Sequence, residues 1–431
     1  MSESLEHLRF LYGLQHFGIK LGLRNIRELL RFLCNPERQF PCIHIAGTNG
    51  KGSTAAMVAS ILTASGYRTG LYTSPHLINF NERIRVDGKT ISDAEVAHHT
   101  AILKPRIRKL KATFFEATTA IAFKQFSDRH VDIAVVETGL GGRFDATNVV
   151  TPRLSVITNI GLEHTEHLGT TYAGIAFEKG GIMKPGIPCL TATMNREALR
   201  MLKKIANANK SRILLAQDGS SVTANEYTLE GSIVDLQTDG GTYRDVFVSL
   251  VGEHQLRNLQ LAVLSVEHLK AIDGFSNITR QTVVAGLRQI RELSGLRGRL
   301  DLIQRSPVII ADVAHNPDGM KALVFSLRFL CASPLVAVFG VLKDKDHRRM
   351  LDYLLPLARL IIAVRPDTQR ALGAMKIVDG VHEMRAKAWL GNSVENGLIL
   401  AMNERRREEP ILVVGSHYVV GEAMQAFQIS V

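Results

Sequence analysis

Aromatic residues are sparse in this chain of 431 residues, and tryptophan occurs only once. Phe, Trp and Tyr together account for 6% of the residues. Basic and aromatic residues do not interleave in the way that is typical of proteins that bind single-stranded nucleic acid. The formal net charge of +11 is dispersed along the chain, and it is compatible with anionic small substrates. The composition therefore predicts a protein that does not bind nucleic acid.

Cysteine is also scarce, and long apolar runs are missing. The four cysteines are scattered and form no C-x-x-C pair, so free thiols in a reducing compartment are the simplest interpretation. No apolar run approaches the roughly 18 to 20 residues of a membrane span. The first seven residues are polar and acidic, without the basic region and apolar stretch of a signal peptide. We therefore expect a cytoplasmic protein that is not attached to a membrane.

The most informative stretch that is present reads H-I-A-G-T-N-G-K-G-S-T, over residues 44–54. It joins a buried-strand pattern to a helix predicted from about Gly52 to Ala64. Glycines let backbone N–H groups surround a polyanion, the lysine adds a charge, and a hydroxyl can reach Mg²⁺. The match to G-x-x-x-x-G-K-[ST] is imperfect, because Ile45 and Gly52 stand where glycine and Ser or Thr are expected. An ordinary glycine turn is the alternative, but the order of strand, turn, lysine and helix favours a nucleoside triphosphate site.

Strand-like and helix-like segments alternate, which predicts an α/β architecture with largely parallel sheets. Residues 220–251 differ, because Thr, Val and Asp with a Gly240-Gly241 turn predict a small antiparallel meander. A break at residues 294–299 separates two series, so we predict domains over 1–295 and 296–431. The predicted strands are 42–47, 68–73, 131–137, 154–160 and 188–193 in the first domain, and 308–313, 335–341, 360–364 and 411–416 in the second.

Polar residues follow several of these strands, and ligands of open α/β sheets bind at such strand ends. Glu137 ends a buried-strand pattern and is a candidate for Mg²⁺ binding, with a simple strand-capping role as the alternative. His164 lies among two histidines and two carboxylates that do not match H-E-x-x-H, so we favour magnesium over zinc. Asp312 and His315 follow the first strand of the second domain. There the alternative is a helix start with Asn316 as its cap.

Two further motifs are weak when they are considered alone. Lys179 lies at the end of an amphipathic run, where a cation and glycines are typical of a helix C-terminus. Gln255 and Asn258 open another helix, where their amides could bind an adenine edge or cap the helix. Arg299, at the predicted hinge, could extend a cation from the second domain toward phosphates.

It is the combination of these motifs, and the order in which they follow one another, that is informative. They extend over nearly the whole chain, from about Leu21 onward. The discriminating pieces are Gly47-Thr-Asn-Gly-Lys-Gly-Ser53, Tyr72-Thr-Ser-Pro-His76-Leu with Asn81-Glu-Arg83-Ile-Arg85, Glu137-Thr-Gly-Leu-Gly-Gly-Arg143 with Asp145-Ala-Thr-Asn148, Glu163-His-Thr165, Glu178-Lys179 and Asp312-Val-Ala-His-Asn-Pro317. In them the chain resembles the Mur ligase superfamily, and specifically the folylpolyglutamate synthases and dihydrofolate synthases. The Ser-Pro-His and Gly-Arg-Phe-Asp-Ala-Thr-Asn pieces favour this folate branch over the cell-wall enzymes.

The resemblance implies an N-terminal phosphate-loop ATPase domain with a mainly parallel sheet and a smaller Rossmann-like C-terminal domain. It implies that ATP phosphorylates a carboxylate, that the amine of L-glutamate attacks the acyl phosphate, and that phosphate leaves as the amide forms. The acceptor would be tetrahydrofolate, dihydropteroate or both. The implied cofactors are two Mg²⁺ ions, with K⁺ as an option and ATP as co-substrate, and the implied state is a monomer.

The resemblance also assigns residues to roles. The implied catalytic residues are Lys51, Arg83, Lys179, His315 and Ser416. The implied ATP contacts are Thr48, Asn49, Gly50, Lys51, Gly52, Ser53, Asn258, Arg299 and Asp312. The implied pterin pocket consists of Thr113, Phe115, Glu116, Phe144, Asp145 and Ala146. The implied metal ligands are Ser74, Glu137, His164 and Lys179, the last as a carbamate, which would convert a cation into a carboxylate-like anion.

One departure from the family pattern bears on the substrate. Lys20, within Ile19-Lys20-Leu21-Gly22, stands where some bifunctional members carry an aspartate. A folylpolyglutamate synthase without dihydrofolate synthase activity is therefore an alternative. A cell-wall Mur ligase is more remote, since it needs a further N-terminal domain for which the residues before the loop leave no room. A phosphate-loop NTPase switch is also remote, because a switch needs neither an acceptor site nor a second nucleotide-facing domain.

Overall fold

The computed structural model describes residues 3–18, 20, 22–272 and 274–429. Ile19 and Leu21, which the sequence analysis cited, lie outside these described residues. The strands are β1 (Cys42–Ala46), β2 (Thr69–Tyr72), β3 (Ile84–Val86), β4 (Lys89–Thr90), β5 (Ile133–Glu137), β6 (Leu154–Ile157), β7 (Cys189–Thr191), β8 (Ile213–Leu215), β9 (Ser220–Tyr227), β10 (Ser232–Thr238), β11 (Gly241–Val248), β12 (Asp301–Arg305), β13 (Val308–Asp312), β14 (Leu335–Phe339), β15 (Ala358–Val364), β16 (Ala388–Asn392) and β17 (Ile411–Val414).

Helices connect most of these strands. They are α1 (Glu3–Gly13), α2 (Arg24–Phe32), α3 (Lys51–Ala64), α4 (Asp93–Leu110), α5 (Phe114–Asp128), α6 (Thr165–Leu168), α7 (Tyr172–Gly180), α8 (Arg196–Ala208), α9 (Ala216–Gly219), α10 (Glu253–Ile272), α11 (Arg280–Arg288), α12 (Ile290–Ser294), α13 (Pro317–Leu330), α14 (His347–Leu354), α15 (Ala374–Glu383), α16 (Val394–Glu404) and α17 (His417–Ala426). Short 3₁₀ helices span Leu14–Phe17, Pro36–Arg38, Phe80–Arg83 and Ala146–Val149. None of the helices in the described ranges has the length and apolarity that crossing a bilayer requires.

The strands form three sheets. The largest has eight strands in the order β4-β3-β2-β5-β1-β6-β7-β8, and it is parallel except for the β3 and β4 edge. Strands β9 to β11 form the predicted antiparallel meander. The third sheet has the order β12-β13-β17-β14-β15-β16, in which only β12 is antiparallel to its neighbour. This confirms the predicted α/β class, with a mainly parallel N-terminal domain and a separate C-terminal domain.

Helix α3 is buried between the large sheet and a helical layer because almost all of its residues are small or apolar. Ten consecutive residues, Ser53 to Leu62, are buried, and α10, α11 and α12 pack on the side away from the sheet. Gly286 of α11 lies directly on the backbone of Ile61, where a Cβ would clash. The phosphate-loop helix is therefore packed closely near its C-terminal end, and its other end, which begins at Lys51, follows the glycine loop.

Several elements differ from the sequence prediction. Strand β6 ends at Ile157 and not at residue 160, because the next residues turn to contact the glycine loop. Strands β3, β4, β8, β12 and β16 were missed: β4 has two residues, β8 has three, and β12 is the antiparallel partner of β13 across a tight turn. Cys42 and Cys189 are buried in β1 and β7 as expected, whereas Cys34 is exposed and Cys331 is partly exposed.

Candidate active site

The glycine loop connects β1 to α3 as predicted, and two of its glycines are required by its shape. Gly47 and Gly50 have φ values of 155° and 84°. A Cβ at Gly50 would clash with the side chain of Asn258. The hydroxyl of Thr48 accepts a hydrogen bond from the N–H of Gly161 at 2.9 Å and donates one to its carbonyl at 3.2 Å. The loop therefore presents the start of α3 to the cleft in a fixed form, which suits a bound polyphosphate.

Two lysines converge on this loop. The Nζ atom of Lys51 donates to the carbonyl oxygens of Gly47 and Thr48, both at 3.1 Å. The Nζ atom of Lys179, from the end of α7, donates to the same Gly47 oxygen at 2.7 Å. Lys179 is buried, and burial together with the charge of Lys51 lowers the pKa of Lys179 to about 7. A substantial neutral fraction of Lys179 near pH 7 makes this amine more reactive than an ordinary lysine.

Glu137, at the end of β5, also lies beside the start of α3. It is 3% exposed, and its Oε2 atom accepts a hydrogen bond from the N–H of Ser74 at 3.0 Å. A Cβ built on Gly52 would lie 3.8 Å from both Glu137 Oε2 and Arg299 Nη2. Burial raises the pKa of Glu137, against the opposing effect of Lys51. Glu137, Ser74, Arg299 and Gly52 line one small cavity of about 60 Å³. Two of the predicted metal ligands therefore share a compartment with the predicted arginine.

A much larger cavity, of about 980 Å³, opens between the two domains. Asn49 and Asn258 line it from the N-terminal domain, and Lys321 and Arg328 of α13 line it from the C-terminal domain. Asn258 donates from Nδ2 to Oε1 of Gln255 at 2.8 Å, which fixes the orientation of its amide. The cavity adjoins the glycine loop, and its amides and cations suit the base and phosphates of a nucleotide.

Amide groups and charges join the domains beside this cavity. The amide of Asn316 donates to Oδ1 of Asn49 at 3.0 Å. His315 donates from Nε2 to Oε1 of Glu163 at 3.1 Å, and Nζ of Lys345 donates to the same oxygen at 3.3 Å. Burial alone would raise the pKa of Glu163, but His315 and Lys345 hold it well below its usual range. The cleft thus contains a carboxylate whose two hydrogen-bond partners come from the opposite domain, while Nε2 of His164, from its own domain, lies 4.0 Å from the same oxygen.

His164 follows Glu163 and has a left-handed backbone, with a φ of 52°. Such a conformation is uncommon for a residue with a side chain, and it is found more often at functional sites. The side chain of His164 is 37% exposed, and its partial burial lowers its pKa to about 4, so its ring is neutral near pH 7 and able to bind a metal. Within the described ranges, no group of three His, Cys, Asp or Glu side chains lies close enough to hold a metal ion.

Two predicted site residues are already engaged by the protein itself. The carboxylate of Asp312, at the end of β13, accepts from the N–H groups of Leu300 and Ala314, both at 2.8 Å. These bonds shape the segment that follows Arg299. Ser416 caps α17, and its hydroxyl accepts from the N–H of Val419 at 3.2 Å. In this structure both residues hold the backbone around the cleft.

The residues assigned to a pterin pocket fall into two groups. Thr113 and Glu116 form a capping box at the start of α5, where Glu116 Oε2 accepts from the N–H of Thr113 at 2.7 Å and from Nδ2 of Asn25 at 3.3 Å. Phe115 projects from the same turn, and its ring packs directly on Gly139. Any residue with a Cβ at position 139 would clash with this ring. Lys20 donates to the carbonyl of Lys111 at 2.6 Å, two residues before this box.

The second group lies on the loop after β5. Asp145 accepts from the N–H groups of Gly139, Leu140 and Thr147 at 2.8 to 3.0 Å, and from the hydroxyl of Thr147. Asp145 therefore ties this loop together, and Ala146 beside it is buried. Phe144 is 36% exposed, and the guanidinium of Arg143 lies 4.2 Å from its ring centroid.

The structure adds functional candidates that were not selected from the sequence, and the first is His76. Its Nδ1 atom accepts a hydrogen bond of 2.7 Å from Nε of Arg83, which is buried and which the family resemblance already assigns to the site. The guanidinium of Arg83 lies 5.1 Å from the ring centroid of Phe114. Glu163 and Lys345 are the other additions. Lys345 follows β14, so its place after a parallel strand was a usable signal, whereas nothing in the sequence pairs His76 with Arg83.

Comparison with known proteins gives consistent matches. A model of the Mur ligase middle domain matches residues 45–266, and a model of the Mur ligase, glutamate ligase domain matches residues 298–417. The chain is 36% identical over 421 residues to a dihydrofolate synthase/folylpolyglutamate synthase of Bacillus subtilis, covering 96% of each chain.

Solved structures agree with these sequence matches. The structure of Mycobacterium tuberculosis folylpolyglutamate synthase complexed with ADP superposes with a TM-score of 0.91, at 31% identity and with 100% of both chains covered. E. coli FolC in complex with DHPP and ADP superposes with a TM-score of 0.87, at 26% identity, covering 98% of this chain and 97% of that one.

Proposed function

We propose that this protein, which belongs to the Mur ligase family and within it to the folylpolyglutamate synthases and dihydrofolate synthases, uses ATP to join L-glutamate to a folate. As a member it is an ADP-forming acid–amino-acid ligase. The observation that carries the proposal is the cleft itself. Lys51 and Lys179 of one domain lie on the glycine loop, and Arg299 of the other domain lies beside Gly52 of this loop. His315 of that second domain bonds to Glu163, and the segment of Glu163 is held to Thr48 of the loop through Gly161.

In the proposed reaction, ATP phosphorylates the carboxylate of the folate, and ADP leaves. The amine of L-glutamate attacks the acyl carbon, and the tetrahedral intermediate expels phosphate to leave an amide. No covalent bond to the enzyme is needed, so catalysis rests on aligning anions and neutralising their charge. Lys51 and Arg299 are the cations proposed for this task, and His315 is proposed to bond a phosphate oxygen. Arg83 and Ser416 are proposed to contact glutamate or the reacting groups.

We propose that the nucleotide occupies the large interdomain cavity. Its phosphates would lie on residues 48–53 and against Arg299, with Asn258 on the base side and Asp312 toward the ribose. The E. coli and M. tuberculosis relatives were solved with ADP, which supports a nucleotide in this fold. Because Asp312 already accepts two backbone hydrogen bonds, a ribose hydroxyl would share an oxygen with them.

Magnesium is the metal that fits the donor set. Glu137 supplies a buried carboxylate oxygen, Ser74 a hydroxyl, and His164 a neutral imidazole. Bound Mg²⁺ would neutralise charge on the phosphates during transfer. The lowered pKa of Lys179 favours the neutral amine that reacts with CO₂, which supports a carbamate at this position as a further oxygen ligand. We propose two Mg²⁺ ions, with K⁺ as an optional third cation.

The folate is proposed to lie between the start of α5 and the loop after β5. Thr113, Phe115 and Glu116 would form one wall of its pterin pocket, and Phe144, Asp145 and Ala146 the other. An aromatic ring suits stacking on the pterin, and a carboxylate suits its amino and imino groups. We propose that the protein acts as a monomer in the cytoplasm.

Two acceptors are proposed, tetrahydrofolate and dihydropteroate. The Bacillus subtilis relative is named for both activities, which supports a bifunctional enzyme. A tetrahydrofolate-specific enzyme is the second candidate, and Lys20 favours it. Some bifunctional members carry an aspartate at this position, which accepts hydrogen bonds, whereas the ammonium group of Lys20 donates one to Lys111 near the capping box.

The deciding experiment measures phosphate release and product mass with Mg-ATP and L-glutamate, with each acceptor in parallel. Glutamylation of both acceptors supports the bifunctional enzyme, and glutamylation of tetrahydrofolate alone supports the second candidate. Turnover of dihydropteroate alone would contradict the polyglutamate assignment. Absence of glutamate-dependent turnover with either acceptor would contradict the proposed substrates.

A further inference from the structure

We propose that Glu163 is a positioning residue that couples closure of the two domains to the orientation of His315. It does so through an interdomain cluster, defined here as Glu163, His315 and Lys345. The activity readout rests on the proposed ligase function, whereas the structural readout below does not.

The cluster is compact and crosses the cleft. One oxygen of Glu163 accepts from Nε2 of His315 at 3.1 Å and from Nζ of Lys345 at 3.3 Å. The side chains of Glu163 and Lys345 are each 10% exposed, so water screens their charges little. A carboxylate of the N-terminal domain thus binds two basic groups of the C-terminal domain in a largely buried setting.

The ring of His315 is held at both nitrogens, from two different domains. Its Nδ1 atom lies 2.9 Å from the carbonyl oxygen of Val313, within the C-terminal domain. Its Nε2 atom lies 3.1 Å from Oε1 of Glu163, across the cleft. A neutral ring donates one of these two hydrogen bonds, and a protonated ring donates both. Hydrogen bonds at both ring nitrogens fix the plane of an imidazole, as they do for histidines oriented by a neighbouring carboxylate. The orientation of His315 therefore depends on the domains being closed.

The segment that carries Glu163 is tied to the phosphate loop. Gly161, two residues earlier, exchanges two hydrogen bonds with Thr48. The cluster consequently connects His315 to the loop itself and not to a distant surface. The neighbouring amide pair of Asn49 and Asn316 is uncharged, so the cluster supplies the charged contacts at this point of the cleft.

The test is a cycle of variants that remove charge with little change of shape. Glu163→Gln and Lys345→Met are each expected to lower kcat on the order of 10-fold or more, since small misalignments of a catalytic group carry large losses. The KM for the folate should stay within about 2-fold, because the proposed pterin pocket lies in the N-terminal domain. If the two losses were independent, the relative kcat of the double variant would equal the product of the relative kcat values of the two single variants. We expect the double variant to exceed that product by at least about 3-fold.

Two matched controls use neighbouring residues of the same type. Glu166→Gln replaces an exposed carboxylate in α6, and Lys343→Met replaces an exposed lysine that donates to the carbonyl of Gln369. Both should keep wild-type kcat. Glu163→Asp, which keeps the charge on a shorter side chain, should recover part of the activity that Glu163→Gln loses. A purely structural role would not predict this recovery at an unchanged Tm.

Small-angle X-ray scattering with the ATP analogue AMPPCP tests closure without folate or glutamate. Wild type should become more compact than Glu163→Gln and Lys345→Met at saturating analogue. The proposal would be overturned by wild-type kcat in both single variants. It would also be overturned by additive effects in the double variant, or by scattering of the variants identical to that of wild type. Higher kcat with a lower KM for ATP in Glu163→Gln would also overturn it, since Glu163 would then compete with the phosphates for His315. If wild type ligates no glutamate, the proposed function is wrong, but the scattering experiment still tests whether the cluster is needed for domain closure.

Discussion

Lys179 donates a hydrogen bond of 2.7 Å to the carbonyl oxygen of Gly47, 132 residues away in the sequence. The amine at the end of α7 is thereby placed under the phosphate loop, beside Lys51. Two lysines at one carbonyl would repel each other if both were charged. This is part of the reason, with burial as the larger part, that the pKa of Lys179 falls to about 7.

Replacing Lys179 with alanine should reduce ligation by on the order of 100-fold or more, because a group that helps hold the phosphates and metal is lost. Lys179→Arg should be similarly impaired, since a guanidinium cannot form the carbamate. The measurements are kcat for ligation and the intact mass in bicarbonate buffer, where wild type should gain the mass of one CO₂. Near-wild-type activity in Lys179→Ala would remove Lys179 from the site.

Glu137→Gln should lower kcat and raise the Mg²⁺ concentration needed for half-maximal rate, because a neutral amide is a poor ligand for a hard cation. The variant keeps an oxygen for the N–H of Ser74, so its Tm should stay close to that of wild type. Activity is titrated with Mg²⁺ for both proteins. An unchanged magnesium requirement would strike Glu137 from the ligand set.

His76→Leu should raise the KM for glutamate by about 10-fold. The substitution leaves the buried Nε–H of Arg83 without its acceptor and frees the guanidinium to shift. His76→Asn, which offers an amide oxygen in place of Nδ1, should recover most of the loss. The KM for ATP should hardly change, because the nucleotide cavity is elsewhere.

The control for His76 is Tyr12→Phe. It removes only a 3.5 Å contact with the far nitrogen of His76 and keeps the ring that stacks on Phe114. Its kinetic constants should match those of wild type. Equal KM values for glutamate in wild type and His76→Leu would show that Arg83 needs no such support.

Asp145→Asn should destabilise the protein by about 2 kcal/mol or more. One carboxylate oxygen would be replaced by an NH₂ group that faces backbone N–H donors. The free energy of unfolding is measured in urea, and folate binding is measured on the folded variant. Full stability with lost folate binding would mean that Asp145 acts only on the ligand.

Stability should decline as the pH falls below about 6.5, before most carboxylates titrate. Burial lowers the pKa of His44 to about 3, of His76 to about 3 and of His254 to about 4. Between these values and about 6.5 the unfolded chain binds protons that the folded chain does not, so acid favours unfolding. Each histidine adds a slope of about 1.4 kcal/mol per pH unit.

This acid dependence is checked by urea unfolding between pH 4 and pH 8. His44→Asn should reduce the slope, because His44 is fully buried and is held by the hydroxyl of Thr147. A slope equal to that of wild type in this variant would contradict the assignment. Stability that is constant from pH 7 to pH 4 would contradict the whole prediction.

The sequence by itself determined the α/β class, the meander and the glycine loop. These follow from local patterns: apolar runs predict buried strands, and glycines before a lysine and a helix predict a phosphate loop. The order of the motifs also indicated the family. The boundary near residue 295 stays a prediction, although the sheets of the two domains use residues on either side of it.

Only the tertiary structure decided which side chains meet. Lys179 lies under Gly47 because α7 packs its C-terminal end against the β1 loop, and the sequence alone favoured an ordinary helix end for it. Glu163 finds His315 and Lys345, and Arg83 finds His76, through contacts between elements that no local periodicity relates. The hydrophobic pattern of a segment indicates which of its own residues are buried. Which side chains meet across the two domains depends instead on how the buried faces of different elements pack together.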